Sequence, residues 1–114
     1  MLRALLLIAF FVFSRPAMAQ DVWPIGAEFG LIISSCQSYL NSYQNGGYSA
    51  YEQAALGYFS AINAFSVTKN KNTGSQTNAE GILGEIKLYC VYHPSDQLSK
   101  ATLATYAKML TDGK

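Results

Sequence analysis

The chain has 114 residues, of which 50% are hydrophobic and only 13% charged, eight basic against seven acidic for a formal charge of +1. That length leaves room for one domain, and the balanced charge excludes the basic stripe that a nucleic-acid binder needs.

Residues 1–19 read as a cleavable signal peptide. Arg3 supplies the positive start, residues 4–13 are unbroken apolar sequence, and Ala17-Met18-Ala19 is an A-x-A cleavage signal, with Arg15 an unusual neighbour. The apolar run is half the roughly twenty residues that span a bilayer, so no stable membrane span is expected. The mature domain is then 20–114, 95 residues (114 minus 19), and loss of Arg3 and Arg15 leaves six bases against seven acids, a charge of −1. Its expected location is periplasmic or secreted. Export to an oxidising compartment makes a disulfide the default for the two cysteines, Cys36 and Cys90. Closing a loop of that length contributes on the order of 4 kcal/mol in the chain-entropy model.

Residues 20–30 form an irregular arm, since Trp23-Pro24 forces an extended or turn conformation and Gly26 and Gly30 loosen the backbone beyond it. Trp23, Ile25 and Phe29 either tuck into the core or make a partner-binding arm. A first helix is expected over 31–43, with Ile32, Cys36, Leu40 and Tyr43 on one face, Ile33 and Tyr39 beside it, and Ser34, Gln37, Ser38 and Asn41 outward. Asn45-Gly46-Gly47 ends it.

The central helix is expected over 49–66, opened by a capping box of Ser49 and Glu52. Tyr51, Ala55, Tyr58, Ile62 and Phe65 recur at three- and four-residue steps and form its buried face, opposite Gln53, Ser60 and Ala64. Gly57 costs about 1 kcal/mol against alanine at mid-helix, which points to close approach of a neighbouring helix or, second, of a ligand. Asn63 reads as a surface or capping side chain.

Residues 66–76 are polar and aperiodic, a loop carrying Lys69 and Lys71. Thr77 and Glu80 repeat the capping-box spacing and open a third helix over 78–91, with Ile82, Ile86 and Cys90 on its inner face and Leu83 and Tyr89 adjacent. His93-Pro94 breaks the chain, and Ser95 caps a fourth helix over 95–111, with Leu98, Thr102, Tyr106, Met109 and Leu110 inward and Lys100 and Lys108 outward. The fold class is therefore all-α: a small four-helix domain stapled by one disulfide, in which Gly57, Tyr58 and Ile62 are packing positions.

Catalytic and cofactor chemistry lacks its constellations. There is no C-x-x-C, no G-x-S-x-G elbow and no phosphate-cradling glycine loop; lone His93 has no helical ligand partner, and the acids are scattered. The expectation is a non-enzyme with no cofactor and no metal. Eight tyrosines are the residual signal. Tyr43, Tyr48, Tyr51, Tyr58, Tyr89, Tyr92 and Tyr106 exceed what so small a core can bury, so they either pack flat around it or remain outside for contact with protein. Tyr43, Tyr48 and Tyr92 join the three arm residues as candidate contacts.

The order Cys36-x-x-Tyr39-Leu40, Gly57-Tyr58-Phe59-Ser60-Ala61-Ile62-Asn63 and Tyr89-Cys90-x-x-His93-Pro94 resembles the HdeA/HdeB family of small exported helical proteins with one disulfide. The resemblance implies an acid-stress chaperone, a homodimer at neutral pH that comes apart in acid and binds unfolding clients. The chain departs from that pattern in having only seven acids, a weak acid trigger. A second resemblance is to Tai-type immunity proteins, also exported, helical and disulfide-linked, with Ala55 where that pattern has a further cysteine. It implies an inhibitor of one toxin enzyme.

Overall fold

The computed structural model describes residues 27–66 and 72–114. The signal segment, Trp23, Ile25, Lys69 and Lys71 lie outside them. Four helices come after a 3₁₀ turn at Gly30–Ile33: α1 at Cys36–Asn45, α2 at Tyr48–Phe65, α3 at Ala79–Tyr92 and α4 at Leu98–Asp112. No strand occurs among the described residues, where Ser35 and Gln97 make an isolated antiparallel bridge.

That bridge explains how two helices begin. The first turn of a helix has amide groups with no partner inside it. In α1 two of these donate to a distant segment: Cys36 N–H to the Asp96 carbonyl at 2.7 Å and Gln37 N–H to that of Pro94 at 2.9 Å. The Leu98 N–H of α4 returns the bond to the Ser34 carbonyl at 2.8 Å. Beside this clasp the Cys36–Cys90 disulfide joins the start of α1 to the end of α3, with Cα atoms 4.9 Å apart and both residues fully buried. The expected all-α domain with one disulfide is thus the observed one.

The core forms where the four helices meet. Tyr39 of α1, Ala55 and Phe59 of α2, Ile86 of α3, and Leu98, Ala101 and Tyr106 of α4 are buried, with Ile32 of the 3₁₀ turn at one edge. Phe59 and Tyr106 rings meet edge-on at 5.1 Å. Burying an apolar side chain of the size of Ile86 contributes about 2 kcal/mol.

Several expectations are corrected. Residues 30–33 make a 3₁₀ turn and α1 starts only at Cys36, capped by the Ser35 hydroxyl, which accepts from Ser38 N–H at 3.1 Å. Gly46 and Gly47, both at positive φ, make the α1–α2 link so short that Ser49 already lies inside α2. Its N-cap is Gly47, and Glu52 accepts from Tyr43 instead of closing a capping box. Asn78, not Thr77, caps α3 through Gly81 N–H at 2.8 Å. Position Gln97 precedes α4 without a side-chain cap, because the Ser34 carbonyl takes the place expected of Ser95.

On α2 the buried stripe runs through Ala55, Phe59 and Ile62, while Phe65 is 83% exposed at the helix end. Tyr51 and Tyr58 flank it, half-buried. Gly57 is exposed, and a Cβ there would meet nothing within 4 Å, so no helix approaches it closely. The glycine that packing requires is Gly74, at φ +91°, where a Cβ would stand 3.0 Å from both Ile82 Cδ1 and Phe59 Cε1. Asn63 is a tertiary tie: its Nδ2 donates to the Thr73 carbonyl (2.8 Å), and its Oδ1 accepts from Thr73 N–H (3.2 Å) and the Tyr106 hydroxyl (3.0 Å).

Candidate protein-binding face

α3 presents two chemically different sides. Ile82, Leu83, Ile86 and Cys90 face the core, whereas Leu88, Val91 and Tyr92 are 52%, 59% and 74% exposed. Ridges of a helix run at three- and four-residue steps, so residues 84, 88, 91 and 92 form one strip, with Gly84 contributing no side chain. Ala104 and Thr105 of α4 lie opposite Leu88 and Tyr92, and small residues there leave a groove of about 270 Å³ between the two helices.

Charge at the groove is neutralised within the protein. Lys108 Nζ of α4 donates to Glu85 Oε2 of α3 at 2.9 Å. At the other end, the His93 ring stacks on Tyr89 at 4.3 Å, and the Tyr89 hydroxyl donates to Asp96 Oδ2 at 2.7 Å. Lys100 is 3.6 Å from the other Asp96 oxygen, and His93 Nδ1 is 4.0 Å from Oδ2. The Tyr89 hydrogen bond, followed by the positive charge of Lys100, holds the Asp96 carboxyl below the usual carboxylate range. Burial, the same hydrogen bond and the Asp96 charge push the Tyr89 hydroxyl up to about 12. A phenol held protonated in this way is a poor nucleophile.

A second tyrosine cluster joins three helices at the α1–α2 turn. The Tyr39 and Tyr43 hydroxyls are 2.7 Å apart, and Tyr43 donates to Glu52 Oε2 at 2.7 Å. Lys87 of α3 places its ammonium 3.7 Å from the Tyr43 ring centroid, and Tyr48 stacks on the same ring at 5.1 Å. Burial foremost, then the hydrogen bonds with Tyr39 and Glu52, raise the Tyr43 hydroxyl far above the ordinary phenol range. A third tie runs from the Tyr58 hydroxyl to Glu28 Oε1 at 2.8 Å and fixes the segment ahead of the 3₁₀ turn to α2; burial and Glu28 raise Tyr58 likewise.

Of the candidate contact residues, Phe29 and Tyr92 are well exposed, Tyr48 is half exposed over Tyr43, and Tyr43 is turned into the three-helix cluster. Trp23 and Ile25 lie outside the described residues. The groove brings Tyr92 together with Leu88, which sequence reasoning did not single out, nor Val91 beside it. The signal was present: both fall off the Ile82–Ile86–Cys90 stripe. Among the described residues no three His, Cys, Asp or Glu side chains converge as a metal site. Nor, among those residues, is any helix long and apolar enough to cross a membrane.

Fold and face together define a class, a disulfide-stapled four-helix domain with an apolar, aromatic strip on its third helix. No family model, no curated protein and no solved structure matches the chain.

Proposed function

We propose that this is an exported protein-binding domain that works as an HdeA-like periplasmic acid-stress chaperone and meets other polypeptides through the outer strip of α3. The observation that carries the reading is the strip itself. Three large apolar residues, Leu88, Val91 and Tyr92, stand in solvent beside a groove whose charges are already paired. A contiguous apolar surface with a neutral polar rim suits unfolded or partly folded protein, which offers apolar segments of varied sequence. The likeness to the HdeA/HdeB family rests on the segments around Cys36, Gly57–Asn63 and Tyr89–Pro94, and export on the A-x-A signal and the disulfide.

Acid sensitivity is supported at Asp96, which accepts a hydrogen bond from Tyr89 at 2.7 Å and whose carboxyl lies below the usual range. Its contribution is therefore present above the unfolded value and is lost as pH falls through the folded one. A homodimer belongs to the same reading: in an antiparallel pair of α3 helices centred on Leu88, Tyr92 would face the gap left by the partner's Gly84.

The test is suppression of client aggregation at about pH 3 and at pH 7, comparing wild type with L88S/Y92S. Protection in acid that the double variant loses supports the reading. Equal protection by wild type and variant, or none at either pH, removes it. The second reading, an immunity-type inhibitor of one toxin enzyme, is favoured by the groove being already formed in a domain held by a disulfide. It predicts one tight partner at neutral pH and no protection in acid.

A further inference from the structure

Asn45 is the only asparagine in the chain with glycine as its next residue; Asn41, Asn63, Asn70, Asn72 and Asn78 precede serine, alanine, lysine, threonine and alanine. An Asn-Gly pair is the sequence in which the asparagine side chain is most open to attack by the backbone, because glycine carries no side chain to obstruct the approach. Asn45 is exposed, is the last residue of α1, and leads into the Gly46–Gly47 link that sets α1 against α2. We propose that Asn45 is a spontaneous deamidation site whose rate is set by opening of the last turn of α1.

In the reaction the Gly46 backbone nitrogen gives up its proton and attacks Asn45 Cγ; the new C–N bond closes a five-membered succinimide and the side-chain nitrogen leaves as ammonia. Water then opens the ring at either carbonyl, giving aspartate or isoaspartate. Two features of the fold hold this back. Gly46 N–H donates to the Ser42 carbonyl at 2.9 Å, so the attacking nitrogen is engaged. Asn45 also has helical backbone geometry, which turns Gly46 N away from its own Cγ. Both constraints end when the last turn frays, and fraying is resisted from outside by the Tyr43–Glu52 bond and the Tyr43–Tyr48 stack.

The products would alter the hairpin. A carboxylate at position 45 stands at the negative end of the α1 dipole, and isoaspartate lengthens the backbone next to a two-residue link. This inference is independent of what the outer face of α3 binds.

The experiment is peptide mapping by mass spectrometry of the disulfide-intact full chain aged at mildly alkaline pH, native and in urea, for wild type, Y43F and N45Q. Expected is a gain of one mass unit confined to the Asn45 peptide, at least tenfold faster in urea than in the native state, and several-fold faster in native Y43F than in native wild type. N45Q should stay unmodified over the same period. Equal native and urea rates, first modification at another asparagine, or a Y43F rate equal to wild type would each overturn the proposal.

Discussion

Replacing Asn63 by alanine removes three hydrogen bonds at once, two to the backbone of Thr73 and one from Tyr106. Thr73 is 3% exposed, so water does not take over when the amide is gone. An unsatisfied buried polar group costs about 1–3 kcal/mol. With the Thr73 N–H and carbonyl both orphaned, N63A is expected to lose about 3 kcal/mol, a large share of the 5–15 kcal/mol typical of a small domain. The assay is urea unfolding of the disulfide-intact protein by far-UV circular dichroism, with S60A on the exposed side of α2 as control. A second variant tests the direction of the bonds. N63D keeps the acceptor but cannot donate to the Thr73 carbonyl while ionised, so its new carboxyl has a raised folded pKa. Stability from such a group is present below its unfolded value and lost as pH rises through the folded one. The N63D deficit should therefore shrink in acid, whereas that of N63A should not. An N63A protein within about 0.5 kcal/mol of wild type, at unchanged m-value, would refute the reasoning.

Removing the disulfide as C36A/C90A should cost about 4 kcal/mol from the unfolded-chain term yet leave a native-like spectrum, since the backbone clasp at residues 34–37 and 94–98 remains; a midpoint unmoved in urea would contradict this. G74A is expected to destabilise by about 2–4 kcal/mol, from positive φ and from crowding Ile82 and Phe59. G57A, in open space on a helix, should instead stabilise by about 1 kcal/mol; thermal melts that gave both changes the same sign would discredit the assignment. Tyr39, Tyr43, Tyr58 and Tyr89 all have raised pKa values, so their contribution is intact below the ordinary value of 10.0 and is lost as pH rises, for Tyr89 through about 12. Ultraviolet titration should show a delayed group of tyrosines ionising together with alkaline unfolding, and smooth titration of every tyrosine near 10 would count against it.

Four helices, the inner faces of α3 and α4 and the disulfide were legible because each rests on local periodicity or on compartment chemistry. Ile82, Ile86 and Cys90 announce one stripe, and Leu98, Thr102, Tyr106 and Met109 another. By contrast, α1 buries Tyr39 and Ser42 in place of the expected Leu40 and Tyr43, and Ile33 is exposed. Helix starts were less legible, for a physical reason. A capping box is a local signal, but α1 and α4 satisfy first-turn amides with distant carbonyls, those of Asp96 and Pro94 for α1 and that of Ser34 for α4, and no local pattern records that. The same holds for Asn63, whose partners lie ten and forty-three residues on, and for Gly74, whose need for glycine comes from side chains on two other helices. On α2 Phe59 lies in the buried stripe, whereas Phe65, the last residue of the helix, stands outside it. As for the candidate face, Tyr92 was visible as a surplus aromatic. Leu88 and Val91 carry no signal of their own, since a single outward leucine or valine is ordinary on a protein surface.

Acid should open this fold from one side. α1 and α3 are joined covalently, and the clasp beside the disulfide is built from backbone groups that do not titrate. The loop end of α3 is further held by Tyr89 and Asp96, and because the Asp96 carboxyl lies below the ordinary range, its contribution is present above the unfolded value and survives further into acid before it is lost. α2 has neither the covalent tie nor a part in that clasp: beyond the burial of Ala55, Phe59 and Ile62, it is held by side-chain hydrogen bonds, Tyr43–Glu52, Tyr58–Glu28 and those of Asn63 with Thr73 and Tyr106. Amide hydrogen exchange near pH 3 should therefore show α2 losing protection before α1 and α3, with α2's buried stripe the first core surface to reach solvent. Uniform loss along the chain, or earlier loss in α3, would mean that the disulfide and the backbone clasp do not decide where the domain yields.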